Sequence, residues 1–224
     1  MARLTGTAAA LHRREIDWSR RSLTICEVDG PALVLGSTQP LAHVRPAQPL
    51  DQIGPATQVA VVRRRSGGAA VLVEPGELVW VEVVVPLGDR LWEDDAGRAA
   101  WWLGRAWAAA LADLGLGAGE VHQGGLARSR WSTHACFAGL GPGEVTVAGR
   151  KVVGLAQRRT RHGALFQCAV PIRWEPGRLA RLLALGPTEQ ADLVADLVGR
   201  VLPVTGHDPV GVTDALERHL PVSR

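Results

Sequence analysis

Lysine is almost absent from this 224-residue chain: Lys151 stands alone against 24 arginines, and there is no asparagine, no tyrosine and only four isoleucines. These residues share A/T-rich codons, so the pattern points to a G+C-rich coding sequence rather than to a demand of folding. Arginine has been written wherever any cation serves, which makes Lys151 the first residue to question. The missing asparagine excludes N-linked glycosylation, whose acceptor it is. No stretch approaches the ~18 uninterrupted apolar residues of a membrane span, and residues 1–15 contain no apolar signal core. The three cysteines, Cys26, Cys136 and Cys168, cannot all pair with one another. Together with the absent signal core they read as free thiols in a reducing cytoplasm. No C-x₂₋₄-C or H-E-x-x-H spacing occurs, so no metal site is expected. A Walker phosphate loop is excluded because no G-x-x-x-x-G-K-[ST] is present.

What remains is globular usage, 46% hydrophobic and 21% charged, in a length that suits one domain with at most a small appendage. The net charge of +3 permits an acidic partner without demanding nucleic acid. The charge is unevenly placed. Seven acids fall between Glu74 and Asp95, whereas Val145 to Trp174 holds none and carries Arg150, Lys151, Arg158, Arg159, Arg161 and Arg173. That stretch reads either as a solvated basic hairpin or as a surface for an anion.

The periodicity predicts short strands at Leu23–Glu27 and Ala32–Leu35, then a buried strand at Gln58–Arg64. A hairpin is expected from Ala70–Val73 and Leu78–Val85, with Val79, Val81, Val83 and Val85 on one face. A helix is expected from Glu93 to Leu114, with the stripe Ala100, Leu103, Trp107, Ala110 and Leu114. Its first-turn acids would suit the dipole and Gly115 would stop it. An irregular Gly-rich stretch, 117–143, leads to strands at Glu144–Ala148, Lys151–Arg158 and Ala164–Ile172. Helices follow at Pro176–Leu185, Pro187–Leu202 and Thr213–Leu220. Strands first, one long helix inserted and a helical tail predict an α+β fold with a mixed, mainly antiparallel sheet.

Three segments carry chemistry. In Arg63–Ala70, three arginines and two glycines offer anion donors and close backbone approach, or simply an arginine-rich turn. In Gly149–Arg159, Lys151 begins a strand that turns inward, where a compact ammonium can stabilise charge on an acyl or phosphoryl oxygen; the bland alternative is a surface lysine at a hairpin. Cys136 lies in a loop beside His134 and after Arg128 and Arg130. It is either a nucleophile or a small buried apolar residue. Cys26 and Cys168 fall inside strands and read as core.

These segments together resemble the biotin/lipoate ligase superfamily, in particular lipoate–protein ligases and cysteine-dependent octanoyltransferases. Arg63 to Val71 is similar to the family's R-R-x-S-G-G-G-A-V loop, Gly149 to Gln157 to its G-x-K-[IV]-x-G-S-A-Q strand, and His162 to Leu165 to its H-G-T-L segment. Ala32 to Gln39 resembles its early V-V-[IL]-G-x-x-Q strand. The resemblance spans about residues 20–185. It implies a catalytic domain over 1–185 and a short helical extension of it over 186–224. It further implies an enzyme that attaches a lipoyl or octanoyl group to a lysine of a lipoyl-domain acceptor protein. Lys151 and Cys136 are the implied catalytic residues. Arg64, Arg65, Ser66, Gly67, Gly68, Ala69, Gly154, Ala156, His162 and Gly163 are the implied binding residues. In the ligase branch, ATP with Mg forms lipoyl-AMP. In the transferase branch there is no cofactor; a cysteine takes the acyl group from an acyl-carrier protein, and the Cys136-Phe137, Glu144, Gly149-Arg150-Lys151 order matches that arrangement. A non-catalytic acyl- or nucleotide-binding paralogue is a third reading. No nucleic-acid or membrane partner is expected. Three departures bear on this: Ala69 for a third glycine, Leu155 for a small serine expected near the adenylate, and Gly143-Glu144 for the ligases' Asn-Asp pair.

Overall fold

The computed structural model describes residues 1–45 and 59–221. In chain order the elements are β1 (Ala2–Gly6), α1 (Ala8–Arg13), β2 (Ser22–Val28), β3 (Ala32–Leu35), β4 (Ala60–Arg63), β5 (Val71–Val73), β6 (Leu78–Pro86), α2 (Trp101–Asp113), β7 (Gly119–Val121), β8 (Val145–Val147), β9 (Arg150–Thr160), β10 (Gly163–Pro171), α3 (Pro176–Leu182), α4 (Pro187–Arg200) and α5 (Pro209–His219). They build a seven-stranded sheet in the order β1-β2-β6-β10-β9-β8-β7 and a three-stranded sheet in the order β4-β3-β5. In the large sheet β1 runs parallel to β2 and the other pairs are antiparallel. The fold is therefore α+β with a mainly antiparallel sheet, as expected. No helix among the described residues is long and apolar enough to cross a membrane.

The central strands explain the layering. Val79, Val81, Val83 and Val85 of β6 and Ala164, Phe166, Cys168 and Val170 of β10 point to one side. There they are buried with the α2 stripe Leu103, Trp107, Ala110 and Leu111. Helix α5 adds Val212, Ala215 and Leu216 to this core. Residues on the opposite face share register rows: Ala169 lies between Trp80 and Gly154, and Gln167 between Glu82 and Ala156. Small side chains on that face leave room under the three-stranded sheet, and the cleft lies there. Helix α4 contributes Leu193 and Leu197 to a second core with Leu33, Trp131 and Phe137, so the tail helices pack into both cores.

Several expectations need correction. Segments 71–73 and 78–86 do not form a hairpin. Strand β5 pairs with β3 and β6 with β2 and β10, and the Glu74–Glu77 turn carries the chain from one sheet to the other. The α2 helix begins at Trp101, not Glu93. Asp95 instead organises a non-helical turn, its Oδ1 accepting the Gly97 and Arg98 N–H groups at 2.7 and 3.3 Å. Upstream of it, Arg159 lies over the Trp92 ring and donates to the Glu93 carbonyl. The strand expected at Gln58–Arg64 starts with a residue outside the described ones. Its described part, β4, is an exposed edge in which only Val62 is buried. Strand β7 lies inside the stretch expected to be irregular. By contrast, Gly115 ends α2 as expected, with the Leu116 N–H reaching back to the Leu111 carbonyl.

Candidate active site

The Arg63–Ala70 segment crosses from β4 towards β5 at the mouth of the cleft. Gly68 has φ +98°, and a Cβ on Gly36 would fall 1.8 Å from the Gly68 carbonyl oxygen, so the two backbones touch only because both residues are glycine. Arg64 is buried. It donates to the carbonyls of Gly67 (2.7 Å), Ala69 (3.0 Å) and Val34 (3.3 Å). Arg63 donates to Gly36 and Gln39 at 2.8 and 2.7 Å, and Arg65 to the Arg13 carbonyl at 3.0 Å. The arginines expected as anion donors thus commit these N–H groups to backbone carbonyls of the loop and of the neighbouring segments.

Cys136 opens a short 3-10 turn, Cys136–Ala138. Its N–H donates to the Ala70 carbonyl at 2.8 Å, which fixes it to the Gly/Arg loop. The Cys136 sulfur and the Arg64 Nη2 flank the same space beside Gly68, where a Cβ would lie 3.6 Å from the one and 2.6 Å from the other. Burial pushes the Arg64 pKa below its ordinary value, and the neighbouring sulfur acts against that. A narrow cavity of about 50 Å³ runs from here between the two sheets. Cys136, Phe137, Gly154 and Ala156 lie along it with Arg64, and Trp80, His12 and Gln167 also line it. Cys26 and Cys168 are buried, and desolvation pushes Cys168 up to about 12, so neither competes as a nucleophile.

Lys151 is on β9, directly behind the Cys136 turn, and is only 4% exposed. Its Nζ is 2.6 Å from Glu144 Oε2 and donates to the carbonyls of Gly139 (2.9 Å) and Cys136 (3.2 Å), with the Phe137 ring centroid at 5.0 Å. Glu144 is equally engaged: Oε2 also accepts the Gly141 N–H at 2.7 Å, and Oε1 the Leu155 N–H at 2.8 Å. The glycine before it is dictated locally. Gly143 has φ +81°, and a Cβ there would stand 2.5 Å from Ala100 Cβ, so asparagine does not fit.

A buried polar chain lines the other end of the cavity, and it was not foreseen. Ser66 Oγ donates to Gln167 Oε1 (2.5 Å), Gln167 Nε2 donates to Glu82 Oε1 (2.6 Å), and Glu82 is ion-paired with Arg14. His12 stacks on Trp80 at 4.3 Å, with Nδ1 3.4 Å from Gln167 Nε2. Burial first, then the Arg64 and Arg14 charges, push the His12 imidazole from 6.5 down to about 3. The available signal was one polar residue in each of two apolar strands, Glu82 in β6 and Gln167 in β10, which the register sets side by side.

Among the expected site residues, Cys136, Arg64, Gly154 and Ala156 line one cavity, Ser66 is tied to its Gln167 wall, and Lys151 lies behind it. Gly67 and Gly68 are exposed at the loop and Ala69 is buried in it; Arg65 is exposed and faces α1. His162 and Gly163 are not brought there. They form the turn at the far end of β9 and are not among the residues that line the cavity. Leu155 packs against the α2 core and is also among the residues that line the cavity. Among the described residues no group of three or more His, Cys, Asp or Glu side chains is placed to hold a metal ion.

Cys136 and the buried Arg64 thus share one apolar slot between the two sheets. The sequence matches the model of the family described as the Lipoyl protein ligase A/B catalytic domain over residues 7–208, and the chain belongs to that family. No curated protein sequence matches significantly. Among solved structures, a bipartite lipoate protein ligase of Thermoplasma acidophilum, described with its E2 lipoyl domain, is similar at TM-score 0.70 and 16% identity, covering 97% of this chain and 80% of that one. A T. acidophilum lipoate ligase structure with bound lipoic acid and a lipoate-protein ligase A bound with ATP each reach TM-score 0.64 at 18% identity, over 94% of this chain and 75% of theirs. At these identities the likeness establishes the fold.

Proposed function

We propose that the protein transfers a lipoyl or octanoyl group to a lysine of a lipoyl-domain protein through a thioester on Cys136. One observation carries this reading: Cys136 and the buried Arg64 lie side by side at the wall of one apolar cavity. A cysteine sulfur at the wall of such a cavity can take up an acyl group in covalent transfer. In the first step the Cys136 sulfur bonds to the acyl carbon of a carrier thioester, the donor carbon–sulfur bond breaks, and the donor leaves as a thiol with the proton. In the second, the acceptor lysine amine attacks the new thioester. A carbon–nitrogen bond forms, the Cys136 bond breaks, and the amine proton returns to sulfur.

A second reading is an ATP-dependent ligase working through lipoyl-AMP. It is favoured by the Gly/Arg loop and by the ATP-bound neighbour of the same fold. Against it, Arg63 and Arg64 are turned to backbone carbonyls, and the Glu144 carboxylate is held by Lys151, Gly141 and Leu155, so these residues do not fit a free Mg site. Incubation with octanoyl-carrier protein followed by intact mass spectrometry separates the readings. An acyl adduct that disappears in Cys136→Ala is the expected result. An absent adduct together with lipoate-dependent pyrophosphate exchange would establish the ligase.

A further inference from the structure

The lysine that composition singles out stands behind the reactive turn rather than in the cavity. An ammonium has three N–H groups, and those of Lys151 meet Glu144, the Gly139 carbonyl and the Cys136 carbonyl. It is only 4% exposed. Glu144 continues the tie, binding the Gly141 N–H on the same loop and the Leu155 N–H on β9. The pair thus gathers the carbonyl of Cys136, the turn that follows it and the strand that floors the cavity into one unit. On the other side of Cys136, its N–H is held by the Ala70 carbonyl, and Arg64 lies beside its sulfur next to Gly68.

We infer that Lys151 and Glu144 act together as positioning residues: they fix the carbonyl side of the Cys136 turn so that its sulfur stays against Arg64 at the cavity wall. This rests on the thiol reading above for its catalytic consequence, but not for its test. A misplacement of ~1 Å in a reacting group costs on the order of 10²-fold in rate, so a loosened turn is expected to lower turnover by roughly that factor with KM little changed.

The test compares Lys151→Met, Glu144→Gln and Glu144→Asp, each first checked by circular dichroism and thermal melting. The Asp variant keeps the charge but withdraws the carboxylate, so it remains informative if neutral variants do not fold. The primary readout is the rate of Cys136 alkylation by iodoacetamide as a function of pH, located by peptide mass spectrometry; it needs no acyl substrate. Positioning predicts that loss of either partner changes the alkylation profile, and that a folded Glu144 variant loses turnover to a similar extent as Lys151→Met although its lysine is intact. A Glu144 variant with wild-type alkylation and turnover, alongside an inactive Lys151→Met, would overturn the inference and return the ammonium to the substrate. Full transfer activity in Cys136→Ala would instead remove the thiol reading, while the alkylation profiles still decide whether the pair positions the turn.

Discussion

His12 contributes to the acid limb of stability. Its imidazole is kept neutral by burial and by two guanidinium groups, with its pKa moved from 6.5 to about 3. Because the folded pKa lies below the unfolded one, the unfolded chain binds the proton first. Stability is fully present above pH 6.5 and is lost as the pH falls towards 3. At pH 5 the unfolded chain is protonated at this site and the folded protein is not, which costs about 2 kcal/mol relative to pH 7. For a chain of this size that is a fall of about 4–8 °C in melting temperature. His134 is also lowered, by partial burial and by His43, and adds to the same limb. The quantity to measure is therefore a difference: guanidinium midpoints at pH 7 and pH 5 for the wild type and for His12→Gln. The substitution should remove most of the 2 kcal/mol from the pH dependence, whatever it does to stability at pH 7. Parallel pH dependences in the two proteins would refute the argument and place His12 in a wetter environment than the His12–Trp80 stack provides.

Gly36→Ala places a methyl 1.8 Å from the Gly68 carbonyl oxygen. It should cost about 1–3 kcal/mol in denaturant unfolding and displace the Gly/Arg loop, with loss of transfer, whereas Gly30→Ala, which meets open space, should leave both unchanged. Leu155→Ser restores the residue common in the family, yet the side chain packs on the α2 core. Melting should reveal a loss of about 2 kcal/mol; an unchanged melting temperature would show that the side chain contributes nothing to that core.

Much of the fold was legible because its local signals were strong. The Lys151 strand, its hairpin partner at 145–147 and the Gly115 stop follow from period-two patterning and turn chemistry that act within a few residues. The false hairpin shows the limit of that evidence. Val71–Val73 and Leu78–Pro86 both alternate as strands do, but alternation does not say which sheet receives each. The early start assigned to α2 has a similar cause: Glu93, Asp94 and Asp95 suit a helix dipole, and Asp95 suits an Asx-type turn equally well. In the site, Lys151 stood out by rarity and Cys136 by its setting. Which partner Lys151 takes was not visible, since Glu144 reaches it across a hairpin seven residues long. The arginines misled in a different way. Their charge suggested an external anion, and their geometry supplies carbonyl oxygens from the same chain.

The cavity belongs to neither sheet, and that has a kinetic consequence. Ser66 meets Gln167 across 101 residues of chain, and Gln167 meets His12 across 155. Contacts of such separation close late, because long loops must be ordered before the contact repays the entropy. The β8–β9 hairpin and α2 can form from local sequence alone, but neither contains a complete wall of the slot. Chemical competence is therefore among the last properties this chain acquires as it folds, and a folding intermediate rich in secondary structure would carry its cysteine without the arginine beside it.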